Sequence, residues 1–207
     1  MPPDQRIATS ADHPFVIENP SLAFMNLMGG DGRTLVEQDR AALAPAFATD
    51  IQVAEDSTPK CDVLFFYGAL DASTRVTGFP FFFRDLVRAA GARIAVLASE
   101  SPPTLVSNPQ FARALGAIGD WPANIVITTH RNGENFGRFF RSMFSQMQAG
   151  VSMPMAWVAL APQGPMQPSD VPGTICLMEA GHVAFGARSG SASQPSSVGS
   201  LRACSRG

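Results

Sequence analysis

Residues 63–73 read VLFFYGALDAS, and this stretch indicates the fold class. Five consecutive apolar residues run into Gly68 and the small residue Ala69, with Asp71 just beyond. Strands without polar alternation are typical of parallel sheets that are buried on both faces. The stretch therefore predicts a central strand that ends at the carboxyl edge of an α/β sheet, where such folds place their ligands and catalytic groups.

Segments with strand and helix patterns alternate on both sides of this stretch. Short apolar runs predict strands at residues 21–28, 51–56, 61–68, 93–99, 123–129 and 173–186. Amphipathic patterns predict helices at residues 34–47, 83–91, 109–119 and 133–150. This alternation predicts a three-layer α/β fold, with a mainly parallel central sheet of about six strands and helices on both faces. Residues 63–67 and 94–98 are expected to form adjacent, central strands, because both segments are wholly apolar.

The composition argues against several classes of function. The chain has 207 residues, of which 45% are hydrophobic and 15% charged, as expected of one globular domain. A formal net charge of −2 predicts no nucleic-acid partner. No apolar run approaches the roughly 18 residues of a membrane span, and the first residues lack a secretory signal, so we expect a cytoplasmic protein that does not enter membranes. The three cysteines have no metal-ligand spacing, so the sequence predicts free thiols, no metal and no cofactor.

One folded domain is expected between two polar ends. Residues 1–14 are polar and contain proline, which is typical of a loose lead-in. From Ser189 onward the sequence is rich in serine and glycine, so residues 188–207 are predicted to form a disordered tail. The folded domain is then predicted to span residues 15–187.

Polar residues follow the next two predicted strands at the same edge of the sheet. Ser99, Glu100 and Ser101 end the fourth strand in LASESPP, and His130 follows the fifth strand. Because the carboxyl ends of parallel strands meet at one edge, these residues are expected to lie near Ala69. Ser99 with His130 as general base would make an active hydrolase. A turn serine and a solvated loop histidine explain the same residues, since Ser99 lacks the Gly-x-Ser-x-Gly elbow.

The loop Gly29–Gly32 offers a second alternative, a nucleotide-binding α/β protein. It reads GGDG after the first predicted strand, and the acidic pair Glu55 and Asp56 closes the second, an order that resembles a dinucleotide-binding fingerprint. The third glycine of that fingerprint is absent, because Leu35 occupies its position. A plain strand-to-helix turn is the favoured interpretation of the loop.

Residues 79–83 read FPFFF and form an aromatic cluster. Four aromatic side chains within five positions cannot all face one core from a single helical turn. Some of them, Phe81 and Phe82 among them, are therefore expected at the surface, where they would contact a protein partner or peptide or mediate self-association.

The order of these elements resembles the CHAT domains, bacterial relatives of caspases in the caspase-like cysteine peptidase superfamily. In that family one strand ends in a pattern like DVLHFAGHG and supplies a histidine. The next strand ends in a pattern like VVLNACES and supplies the nucleophilic cysteine. Here DVLFFYGALD (62–71) and IAVLASESP (94–102) stand in those places. The later segments FARALGAIGDWPANIVITT and FGRFFRSMFSQMQAGVSMPMAW follow the helix, strand and helix order of the family, so the resemblance covers about residues 20–186.

The resemblance implies a caspase-like fold without the catalytic dyad of the family. Ala69 stands where the family has histidine, and Ser99 stands where it has cysteine. The caspase-type reaction needs a thiolate and a positioned imidazole, and alanine cannot transfer a proton. We therefore expect a catalytically inactive peptidase homologue that acts as a binding or regulatory module. Its expected binding residues are Gly68, Asp71, Glu100, Ser101, Phe81 and Phe82.

Overall fold

A computed structural model of the chain describes residues 9–53, 57–116, 121–161 and 171–186. Its strands are β1 Phe15–Ile17, β2 Ser21–Asn26, β3 Thr49–Ile51, β4 Val63–Tyr67, β5 Ile94–Leu97, β6 Asn124–His130, β7 Gly173–Met178 and β8 Val183–Phe185. Its helices are α1 Gly30–Leu43, α2 Phe83–Ala90, α3 Pro103–Val106, α4 Pro109–Gly116, α5 Asn135–Gln148 and α6 Met153–Leu160.

The central sheet has six strands in the order β3-β2-β4-β5-β6-β7. The first five strands are parallel, and β7 runs antiparallel to β6. Strands β4 and β5 are adjacent and central, with Val63 opposite Ile94 and Phe66 opposite Leu97. The predicted α/β fold with a mainly parallel sheet of six strands is confirmed.

Helices cover both faces of the sheet. Alternate side chains of a strand point to opposite faces, so both faces carry apolar side chains that pack against helices. On one face Phe65 packs against α5, where its ring centroid lies 5.2 Å from that of Phe140. On the other face Phe66 packs against α2, where its ring centroid lies 5.2 Å from that of Phe83. Helices α1, α5 and α6 contribute to the first core, and α2 and α4 contribute to the second. All five residues of β4 are buried, which explains the absence of polar residues in this strand.

Two helix boundaries depend on proline and glycine. Helix α1 begins at Gly30, four residues before its amphipathic pattern starts, and ends at Leu43. Residues Ala44–Ala46 then form a short 3-10 turn that contains Pro45, because proline cannot donate a backbone hydrogen bond to a continuing helix. Helix α2 ends at Gly91, whose φ of 72° is the left-handed conformation that glycine adopts readily.

The segment predicted as one sixth strand, residues 173–186, forms two strands in different sheets. Strand β7 is the antiparallel edge of the central sheet, whereas β8 pairs in parallel with β1 in a separate two-stranded sheet. The chain turns between them at Gly181, which has a φ of 66°. The sequence predicted neither this division of the segment nor β1 as the partner strand of β8.

The two polar ends of the chain lie largely outside the described residues, which leave out residues 1–8 and 187–207. Within the predicted lead-in, the Thr9 hydroxyl oxygen accepts a hydrogen bond from the His182 N–H at 2.9 Å. Thr9 therefore contacts the folded domain. None of the helices in the described ranges is long and apolar enough to cross a membrane.

Candidate functional site

The carboxyl ends of β4 and β5 bring Ala69 and Ser99 to one edge of the sheet. The Gly68 N–H donates a hydrogen bond to Ser99 Oγ at 3.0 Å, so the segments that follow these two strands are in direct contact. Ala69 comes directly after Gly68, and its side chain is exposed. The sequence predicted this juxtaposition from the parallel order of the strands.

The Ser99 hydroxyl already has a partner for each of its hydrogen-bonding roles. It accepts from the Gly68 N–H and donates to Met28 Sδ at 3.1 Å. Throughout the described ranges, no carboxylate or imidazole hydrogen-bonds to Ser99 Oγ. A serine hydroxyl needs such a base to become a nucleophile at neutral pH. This geometry therefore does not activate Ser99.

His130 pairs with Glu100 instead of with Ser99. The imidazole Nδ1 lies 3.2 Å from Glu100 Oε1, and the same oxygen accepts the Arg131 N–H at 2.8 Å. Both side chains are exposed, that of His130 at 63% and that of Glu100 at 50%. The structure places His130 at the predicted edge but does not join it to Ser99. Glu100 fixes the start of the loop between β6 and α5.

Asp71 and Ser101 shape the backbone at the same edge. One oxygen of Asp71 accepts hydrogen bonds from the Ser73 N–H at 2.8 Å, the Ser73 hydroxyl at 2.7 Å and the Arg75 N–H at 3.0 Å. The hydrogen bond from the Ser73 hydroxyl is the largest cause that holds the pKa of Asp71 below its ordinary value. The Ser101 N–H donates to the Thr128 carbonyl at 2.8 Å. Asp71 therefore organises a turn, and Ser101 ties the end of β5 to β6.

Gly68 is required by packing. A Cβ atom at this position would lie 2.7 Å from Phe66 Cζ, a distance that real Cβ contacts do not show. The absence of a side chain at Gly68 therefore leaves room for the buried Phe66 ring.

A buried polar cluster that the sequence did not predict lies beneath this edge. Asp39 in α1 is only 4% exposed. Arg131 Nη2 lies 2.8 Å from both Asp39 carboxylate oxygens, and the Tyr67 hydroxyl donates to one of them at 2.5 Å. Arg131 Nη1 also donates to the Ala98 carbonyl at 2.7 Å, and its guanidinium carbon lies 3.8 Å from the Phe136 ring centroid. The cluster joins α1, the ends of β4 and β5, and the loop after β6.

The electrostatics of this cluster are those of a structural ion pair. Burial raises the pKa of the Asp39 carboxyl above its ordinary value, while the charge and hydrogen bonds of Arg131 and the hydrogen bond of Tyr67 oppose the shift. Burial is also the largest cause that raises the pKa of the Tyr67 hydroxyl, which therefore stays protonated and donates to Asp39. One signal in the sequence could have revealed the cluster. Asp39 shares the buried side of α1 with Gly32 and Leu43, and a charge there needs a partner.

The aromatic cluster at residues 79–83 divides into three environments. Phe83 is buried against Phe66, so it belongs to the core. Phe82 is partly exposed and has the guanidinium carbons of Arg75 and Arg84 at 5.3 and 5.0 Å from its ring centroid. The Phe79 and Phe81 rings are also partly exposed and contact each other at a tilt of 33°, with centroids 5.3 Å apart. The predicted partial exposure holds for every phenylalanine of the cluster except Phe83.

The Gly29–Gly32 loop is the start of α1. Asn26 holds it, because its side chain accepts the Met28 N–H at 2.9 Å and donates to the Gly29 carbonyl at 2.9 Å. Glu55 and Asp56, the acidic pair of the proposed fingerprint, lie outside the described residues. Beside this loop the structure has a cavity of about 800 Å³.

Among the described residues, no group of three or more histidine, cysteine, aspartate or glutamate side chains could hold a metal ion. Comparisons of this chain with models of protein families, with curated proteins and with solved structures found no match.

Proposed function

We propose that this protein is a non-catalytic binding module with a caspase-like fold, related to the CHAT domains. One observation carries the proposal. At the two strand ends where the family has its dyad, this chain has an exposed alanine and a serine whose hydroxyl is bonded to Gly68 and Met28. Neither group can start peptide hydrolysis.

The order of the strands supports the relationship to the family. The segment that resembles the histidine strand is β4, and the segment that resembles the cysteine strand is β5. These strands are adjacent and parallel, and their ends touch through Gly68 and Ser99. A dyad carried by the residues after these strands would therefore have its two members side by side.

A protein partner or peptide is the class of ligand that we propose for this edge. Gly68, Ala69, Glu100 and Ser101 offer a short, partly exposed surface with backbone and carboxylate groups. Phe82 adds an apolar ring near the surface, and exposed aromatic rings are enriched at protein interfaces. We also propose that the Phe79–Phe83 segment contributes to self-association.

An activity measurement tests the non-catalytic character directly. The purified protein is incubated with a pool of fluorogenic peptides and esters and with a fluorophosphonate that labels activated serines. We expect no hydrolysis above background and no labelling of Ser99, because no base activates its hydroxyl. Ser99→Ala should behave like the unmodified protein.

The matched control is Ser145→Ala, which removes an exposed hydroxyl from α5. Hydrolysis that survives Ser145→Ala but is abolished by Ser99→Ala would overturn the proposal. If His130→Ala abolished the same activity, the alternative of a hydrolase that uses Ser99 with His130 would replace it.

A further inference from the structure

The cavity of about 800 Å³ lies at a position where α/β sheets bind ligands. From β2 the chain continues to β3 on one side, and it then returns to β4 on the other side of β2. Such a reversal of strand order opens a crevice between the loops that leave the two strands, and ligands bind there. Leu27 and Gly30 after β2 line the cavity, as do Phe79 and Phe81 after β4.

One wall of the cavity is cationic. Arg33, Val36 and Arg40 line it from one side of α1, because residues three, four and seven apart share a helix face. Within the part of the chain that the structure describes, the Arg33 side chain has no hydrogen bond or ion pair. Arg40 Nη1 lies 3.6 Å from Asp50 Oδ2, but Arg40 Nε is buried without an acceptor.

The other wall offers a surface for a planar ring. The Phe79 and Phe81 rings contact each other at a tilt of 33°, with centroids 5.3 Å apart, and Leu86 of α2 also lines this side. Aromatic side chains that are partly exposed in this way are the usual platform for a nucleobase. The sequence predicted a protein contact for the aromatic cluster, and within that cluster Phe79 and Phe81 also line the cavity.

The charge and the free space of the cavity fit a phosphorylated ligand. Its lining includes two guanidinium groups and the carboxylate of Asp85, which is paired with Arg88 at 3.3 Å. A Cβ atom added at Gly29 or Gly30 would meet no atom within 4 Å, so the space before this backbone is open. The volume lies within the range of small-molecule sites.

From these observations we propose that the cavity binds a nucleoside phosphate, with the base on Phe79 and Phe81 and the phosphates against Arg33 and Arg40. Guanidinium groups bind phosphate oxygens strongly, and no carboxylate among the described residues pairs with Arg33. The recognition differs from the dinucleotide fingerprint, because arginine side chains rather than a glycine-rich loop would hold the phosphates. This proposal goes beyond the binding module proposed above and does not depend on it.

Titration calorimetry with ADP, adenosine and pyrophosphate tests the proposal. The unmodified protein should bind ADP more tightly than either fragment, because only ADP reaches both walls. Arg33→Ala should weaken ADP binding about tenfold and leave adenosine binding unchanged, since one charge-assisted contact is lost. Phe81→Leu keeps an apolar side chain but removes the ring. It should therefore weaken the binding of ADP and of adenosine and leave the binding of pyrophosphate unchanged.

The matched control is Arg138→Ala, which removes an exposed arginine of α5 that does not line the cavity. It should bind ADP like the unmodified protein. The proposal is overturned if ADP shows no saturable binding at millimolar concentration. It is equally overturned if Arg138→Ala weakens ADP binding as much as Arg33→Ala does, or if pyrophosphate binds as tightly as ADP. Either result would mean that the protein attracts anions without a specific site.

Discussion

At the scale of single residues, the carboxyl edge is held by polar contacts that bind its groups to each other. Asp39 is bonded to Arg131 and Tyr67, and Glu100 is bonded to His130 and the Arg131 backbone. The sequence predicted which residues reach this edge, because parallel strands end on the same side. It did not predict their pairing, because Asp39 and Arg131 are 92 positions apart and meet only through the packing of α1.

Asp39→Ala should lower the free energy of unfolding by about 3–5 kcal/mol, because it leaves the buried Arg131 charge without its partner. Tyr67→Phe removes one hydrogen bond to a charged acceptor and should cost about 1.5–3 kcal/mol. Urea denaturation followed by far-UV circular dichroism measures both changes.

Asp31→Ala is the control for these two substitutions, because Asp31 is an exposed carboxylate in the first turn of the same helix. Its loss should cost about 0.3–1 kcal/mol through the helix dipole. If Asp39→Ala cost no more than Asp31→Ala, the buried cluster would not stabilise the edge.

At the scale of elements, the segment Phe79–Phe83 shows why composition did not settle the fate of each ring. Phe83 is the first residue of α2 and lies on its buried side, whereas Phe82 precedes the helix in extended backbone. One position along the chain thus decides between core and surface. The sequence predicted a mixture of buried and exposed rings, but only the helix start assigns each ring to its environment.

Phe82→Ser should reduce self-association while preserving the fold, because it removes a partly exposed apolar ring. Sedimentation velocity at rising protein concentration measures the association. Met155→Ser is the control, since Met155 is 50% exposed on α6 and equally apolar. Equal sedimentation of the two variants and the unmodified protein at every concentration would show that the segment mediates no self-association.

At the scale of the whole molecule, the sheet could be predicted because β4 and β5 are wholly apolar and such strands must lie at its centre. The sequence did not separate the antiparallel edge strand β7 from β8, because β7 alternates only weakly between half-buried and exposed residues. Strand β1 has three residues, too few for a periodic pattern. The cavity was not predicted, since it needs α1 and the loop after β4 in their places. The sequence showed its glycine loop and its aromatic residues only as separate features.

The double substitution Ala69→His with Ser99→Cys tests most directly whether this edge has the form of a cysteine-peptidase site without its chemistry. An imidazole beside the introduced thiol should favour the thiolate and lower the pKa of the thiol. The measurement is the rate of alkylation between about pH 5 and pH 9, with Ser99→Cys alone as the control. Burial raises the pKa of both Cys61 and Cys176 to about 12, so these thiols should react slowly in this range. Cys204 is changed to serine in both proteins.

We predict that alkylation of the double variant rises well below pH 8, whereas the single variant rises only near the ordinary thiol pKa of about 8.5. The shift to lower pH should require the introduced histidine, because its charge stabilises the thiolate. Identical pH profiles with and without that histidine would contradict the proposal that Ala69 and Ser99 occupy the positions of a lost dyad.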